Sequence, residues 1–152
     1  MNRFTRRQCL IALAAGAALP AFAAAPKTAV EVWKDPSCGC CQDWITHMER
    51  SGFAVTVHES GNAAVRAQLG LPQRLGSCHT ALVGGYVVEG HVHADDVRRL
   101  LREKPEALGL AVPGMPVGSP GMDGAVYGGR RDRYDTLLVL RDGTSRVFRS
   151  HA

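Results

Sequence analysis

Apolar and polar positions along this chain alternate with two periods, and the switches between them divide it into elements. Residues 29–33 are an apolar run around Glu31 and predict a strand. Trp44, Ile45 and Met48, with Phe53 beyond them, repeat at helical spacing and predict a helix over 42–51, stopped at Ser51-Gly52. Residues 53–58 alternate as a second strand, and residues 63–69 form a short helix ended by Gly70. Two apolar runs, 80–83 and 86–89, flank Gly84-Gly85 and predict a β-hairpin. A helix over 94–103 follows, with Val97, Leu100 and Leu101 facing inward. Residues 108–122 carry so many prolines and glycines that an ordered, functional loop is expected. Residues 136–140 and 145–148 flank an Asp142-Gly143 turn and predict a C-terminal hairpin.

The first part of this order, βαβ, helix, ββα, is that of a thioredoxin-like α/β fold. The Pro/Gly/Met loop and the C-terminal β-hairpin extend it. Thioredoxins place a cis-proline just before their third strand. Here that place holds Cys78-His79-Thr80, and Pro72 lies too far upstream.

Residues 1–25 differ from the rest. Arg3, Arg6 and Arg7 precede an apolar, Ala-rich stretch, and Ala21-Phe22-Ala23 resembles a small-x-small cleavage site. That pattern predicts a secretory signal peptide cleaved near Ala23 or Ala25, leaving one domain over 26–152 in the periplasm. Thr5-Arg6-Arg7-Gln8-Cys9-Leu10 also resembles a twin-arginine signal, and the Sec route stays open beside it. The chain of 152 residues has 18 basic and 14 acidic side chains, a formal charge of +4. Without the three signal arginines the balance is 15 against 14, which gives no ground for a nucleic-acid partner. No membrane insertion of the mature chain is expected.

The chemistry is concentrated in Asp35-Pro36-Ser37-Cys38-Gly39-Cys40-Cys41-Gln42, three thiols within four positions between a strand and a helix. Thiolate is a soft ligand that selects Cu(I), zinc or iron–sulfur clusters. A helix N-terminus favours the thiolate form. Cys78 supplies a fourth sulfur. Cys38-Gly39-Cys40-Cys41 is equally a C-x-x-C, so a thiol–disulfide oxidoreductase using Cys38 and Cys41 is the alternative reading. Zinc ranks below copper, because three ligands in four residues strain a mononuclear tetrahedral site. Met115 and Met122, on the Pro/Gly loop, are candidate thioether ligands or apolar cover for the cluster. His47, His58, His79, His91 and His93 are nitrogen donors that the pattern leaves unassigned. His91 and His93 would share one face of a strand, at an end the hairpin is expected to carry away from Cys78.

Four motifs together resemble the CopG-like copper-resistance proteins, also described as domain of unknown function 411. They are Asp35-Pro36-x-Cys38-Gly39-Cys40-Cys41-x-x-Trp44; Cys78-His79-Thr80-Ala81; Gly85-Tyr86-x-x-Glu89-Gly90-His91-Val92; and the run from Gly109 to Met122. The resemblance implies a thioredoxin-like periplasmic protein that binds Cu(I) through Cys38, Cys40, Cys41 and Cys78. A polynuclear cluster, a redox role and copper tolerance belong to the same implication. Donor, store and redox enzyme need the same ligands, and a copper-efflux or copper-delivery protein is the partner class a donor would serve.

Overall fold

In the computed structural model, residues 26–152 are described; the expected signal peptide and its cleavage site lie outside them. Strand β1 (Ala29–Lys34) leads through the Cys loop into α1 (Gly39–Arg50), then β2 (Ala54–His58) and α2 (Ala63–Gln68). Strands β3 (His79–Val83) and β4 (Tyr86–Glu89) form the hairpin, followed by α3 (Ala94–Glu103). The C-terminal part adds β5 (Gly109–Ala111), β6 (Tyr134–Val139) and β7 (Ser145–His151).

All seven strands form one mixed sheet in the order β2-β1-β3-β4-β5-β6-β7. β1 pairs parallel with β2 and antiparallel with β3, and β3 pairs antiparallel with β4. The expected order of elements from β1 to α3 is therefore the observed one. Gly84 and Gly85 both take positive φ, as a two-residue hairpin turn requires. The principal core lies between this sheet and α1 and α3, with Trp44, Ile45, Met48, Val97 and Leu100 packed onto Val30, Val32, Ala81 and Val88.

Two boundaries differ in ways that matter for the site. Helix α1 begins at Gly39, three residues before the apolar repeat announces it, so Cys38 is its N-cap and Cys40 and Cys41 sit in its first turn. A first turn of glycine and cysteine carries no hydrophobic period and cannot be seen from Trp44, Ile45 and Met48 alone. The Pro/Gly loop is also shorter than expected, since its start becomes β5, parallel to β4. Gly109 permits this because its missing Cβ would strike the Val87 backbone. The C-terminal hairpin then joins the same sheet through β5 and β6.

Candidate metal centre

The loop ahead of α1 is held by its own polar groups. The buried Lys34 ammonium donates to the carbonyls of Asp35 (3.0 Å) and Pro36 (3.4 Å). Asp35 Oδ1 accepts from the Ser37 amide (2.9 Å) and hydroxyl (2.5 Å). Those bonds hold the Asp35 carboxyl below its ordinary range. The Cys38 amide donates to the Asp35 carbonyl at 3.0 Å, closing a turn that aims the cysteines at the start of β3.

Cys78 arrives there from the opposite side. Its loop is fixed by Glu89, fully buried at the end of β4. The Glu89 carboxylate accepts from the Ser77 amide at 2.6 Å, Thr80 Oγ1 at 2.5 Å and the Arg66 guanidinium at 2.9 Å. Arg66 also donates to the Ser77 carbonyl at 3.1 Å, as does Asn62 at 3.2 Å. These contacts bracket Cys78 and His79 on both sides, and burial holds the Glu89 pKa above its usual value despite them.

The result brings Cys38, Cys40, Cys41 and Cys78 together, with all four sulfurs within 4.8 Å of one another. Cys38 and Cys41 are joined as a disulfide, and Cys40 and Cys78 are free thiols. Cys40 Sγ lies 3.7 Å from Cys38 Sγ. Burial, and then the neighbouring Cys40, pushes the Cys78 thiol up to about 12. Cys78 is thus a neutral thiol until a cation or a change of solvation draws off its proton.

Two histidines complete the arrangement. His91 Nε2 is 3.1 Å from Cys78 Sγ, and His91 Nδ1 is 2.8 Å from the Pro120 carbonyl. A carbonyl only accepts, so Nδ1 carries the proton and the Nε2 lone pair faces the sulfur. His79 Nδ1 lies 3.5 Å from the same sulfur, while its Nε2 is buried without a partner. Burial, with His91 alongside, holds His79 down to about 3, and burial also lowers His91. Both rings are neutral nitrogen donors at ordinary pH. The donor atoms of Cys78, His79 and His91 also lie within 4.8 Å of one another.

His91 corrects the expectation from the hairpin. An antiparallel pair returns the chain to its starting end, so the end of β4 lies beside the start of β3, and the Gly90 amide donates to the His79 carbonyl at 3.0 Å. The expected pairing of His91 with His93 on one face also fails. Gly90 has φ +70°, Val92 N donates to the Gly90 carbonyl in a tight turn, and His93 is already the N-cap of α3. The strand alternation ends there, leaving His91 at the sulfurs and His93 on the far side. His47 accepts from the Ala94 amide at 3.2 Å, and His58 stacks on Trp33.

The Pro/Gly loop covers the first turn of α1. At Gly121, with φ +86°, a Cβ would come within 2.6 Å of the Cys40 carbonyl and 2.8 Å of the Trp44 amide nitrogen. The adjacent Met122 is buried, and its sulfur accepts from the Tyr127 hydroxyl at 3.2 Å. Met115 is half-exposed, one residue after Gly114, whose carbonyl accepts from the Ser77 hydroxyl.

Soft sulfurs and neutral imidazoles at one end of a mixed α/β sheet define a metal-binding thiol protein. The comparisons carry this further. Residues 75–122 match the family described as "Protein of unknown function, DUF411". The solved structure named "Copper resistance protein copG- Form 2" is 46% identical, covers 83% of this chain and 99% of its own, and superposes with a TM-score of 0.77. "Copper resistance protein copG- Form 1" is likewise 46% identical, with coverages of 82% and 98% and a TM-score of 0.76. No curated protein matches. The chain belongs to the CopG copper-resistance family.

Proposed function

We propose that this chain is a periplasmic copper-resistance protein that takes Cu(I) as cargo on the thiolates of Cys38, Cys40, Cys41 and Cys78. The observation that supports this most is the convergence of four sulfurs within 4.8 Å. Soft thiolates prefer Cu(I), and four in so small a space suit bridging sulfurs and more than one ion. His91, its tautomer set by Pro120, is a further donor. The orphaned Nε2 of His79 makes that ring a weaker one. Met115 and Met122 stay as proposed thioether ligands, on a loop pressed against Ser77 and Cys40. We read β2-β1-β3-β4 with α1 and α3 as a thioredoxin-like core, with Cys78 in the cis-proline position. A copper-efflux or copper-delivery protein is the partner class that would receive the ion. Among the described residues, no helix is long and apolar enough to cross a membrane.

The Cys38–Cys41 disulfide supports a second reading, thiol–disulfide exchange with a dithiol partner. In that exchange a partner thiolate attacks one sulfur. The partner leaves as the disulfide, and Cys38 and Cys41 are left as the dithiol. The same two-electron reduction is needed before all four sulfurs can hold Cu(I), so the readings share a first step.

Anaerobic Cu(I) titration of the reduced mature protein, with free thiols assayed in parallel, separates them. More than one copper per chain with all four thiols protected supports the copper site. No tight copper, with Cys38 and Cys41 cycling as a disulfide against a dithiol substrate, supports the exchange enzyme.

A further inference from the structure

On the far side of the His91-Val92-His93 segment lies a cavity of about 310 Å³, lined by His47, His93, His151, Asp123, Asp132 and Arg131 among others. It holds three of the chain's six histidines and, among the described residues, no cysteine. We propose that this cavity is a second metal site, built from His93 and His151 with His47 and Asp123, for a borderline divalent cation, Cu(II) above all.

The rings are near neighbours, but no three donor atoms of these four residues lie within 4.8 Å of one another. The His93 ring lies at 16° to that of His151, so a shared ion requires the partly exposed His93 side chain to turn toward His151. The centroids of His47 and His93 are 4.9 Å apart, and those of His93 and His151 are 6.2 Å apart. Two imidazoles on one ion, each with a metal–nitrogen bond of about 2 Å, place their centroids at roughly 5–6 Å. His151 is the most prepared. Its Nε2 sits 2.9 Å from Oδ2 of the fully buried Asp96, which also accepts from Thr136 Oγ1 at 2.7 Å. Asp96 thereby holds the proton on Nε2 and leaves Nδ1 as a lone pair, the carboxylate–histidine arrangement that orients metal ligands. Tyr134 stacks on the same ring with centroids 4.6 Å apart and fixes its plane.

His93 needs a turn of its side chain as well as a change of tautomer. Its Nδ1 accepts a long 3.3 Å bond from the Asp95 amide. A metal at Nε2 moves the proton to Nδ1, which lies 4.0 Å from the Asp95 carboxylate that can receive it. His47 would give up its 3.2 Å bond from the Ala94 amide. Arg131 opposes a cation here, and the carboxylates of Asp123 and Asp132 offset it. Imidazole and carboxylate donors suit Cu(II), the tightest binder among first-row divalent ions, rather than the Cu(I) that thiolates select. Pro120 joins the two places, because its carbonyl orients His91 toward Cys78 while the residue also lines this cavity.

The test uses the mature protein with Cys38, Cys40, Cys41 and Cys78 all replaced by serine, its fold checked by circular dichroism, titrated with Cu(II) alone. One Cu(II) per chain is expected, with nitrogen superhyperfine couplings in its electron paramagnetic resonance spectrum. Affinity should fall at least tenfold in the His93→Asn, His151→Asn double variant. If the serine protein does not fold, the same titration is run on wild type with Cys38–Cys41 oxidised and the two free thiols alkylated. Equal affinity with His93 and His151 replaced, or no stoichiometric Cu(II) bound by folded protein, overturns the proposal. Cu(I) titration of the double variant with its cysteines intact reports on the thiol site separately, and its stoichiometry should not change.

Discussion

Cys78 Sγ and His91 Nε2 lie 3.1 Å apart although the two residues are thirteen positions apart in the chain. The β3–β4 hairpin makes this contact by running out along one strand and back along the next. Cys78 therefore has two kinds of neighbour, the sulfurs of the α1 loop and the imidazole lone pair after β4. Replacing Cys78 with serine removes the one thiol of the four that the α1 loop does not supply. Cu(I) affinity in Cys78→Ser should drop at least tenfold, measured by competition with a chromophoric Cu(I) chelator. An unchanged affinity and stoichiometry would exclude the four-thiol site.

Glu89 controls where Cys78 stands. Glu89→Ala leaves the Arg66 guanidinium buried without its carboxylate and the Ser77 amide without its acceptor. Breaking a buried pair in this way costs about 3–5 kcal/mol. Glu89→Gln keeps an acceptor for Ser77 and should cost less. Urea denaturation of the reduced protein gives both values, and equal stabilities for the two variants would rule out this account.

Gly121 is where the Pro/Gly loop comes closest to α1. Gly121→Ala must accommodate a Cβ 2.6 Å from the Cys40 carbonyl at φ +86°. Strain of this kind costs about 1–3 kcal/mol, and the loop should lift away from the first turn. Thermal denaturation should show the loss. Faster alkylation of Cys40 should accompany it, whereas Gly124→Ala, with open space at its Cβ, should leave the thiol's rate unchanged.

Acid should destabilise the reduced, metal-free protein. His47, His79 and His91 all have folded pKa values below the ordinary 6.5, His79 down to about 3. The unfolded chain therefore binds protons that the folded chain refuses, so these rings contribute stability above pH 6.5 that is lost as pH falls below it. For His79 the loss continues to about pH 3. Each such proton weakens folding by about tenfold per pH unit within its window. Glu89 has the opposite sign, since its raised pKa adds stability only toward its unfolded value of 4.5 and below. The urea midpoint should fall between pH 7.5 and pH 5; a flat profile would contradict the buried neutral rings.

How far the site was legible differs residue by residue. Cys38, Cys40 and Cys41 are adjacent in the chain, so their meeting needed only a turn. Cys78 was legible because the order of elements places it immediately before the third strand, opposite the Cys loop. His91 is not legible, because its approach to Cys78 depends on the antiparallel pairing that returns the end of β4 to the start of β3. The first turn of α1 was missed because Gly39, Cys40 and Cys41 give no apolar period. β5 was missed because three residues with a leading glycine do not announce a strand.

The sequence alone determined the strand and helix order from β1 to α3 and the thiol-rich donor set, and its motifs pointed to the family. Those follow from local periods and from residue types, which need no coordinates. Only the tertiary structure decided which histidine faces the sulfurs, that Glu89 and Arg66 anchor Cys78, and that His47, His93 and His151 share a cavity. These relations join residues that are distant in the chain, and they depend on strand register, a positive φ at Gly90 and the seating of the C-terminal strands on one sheet. No local pattern records those quantities.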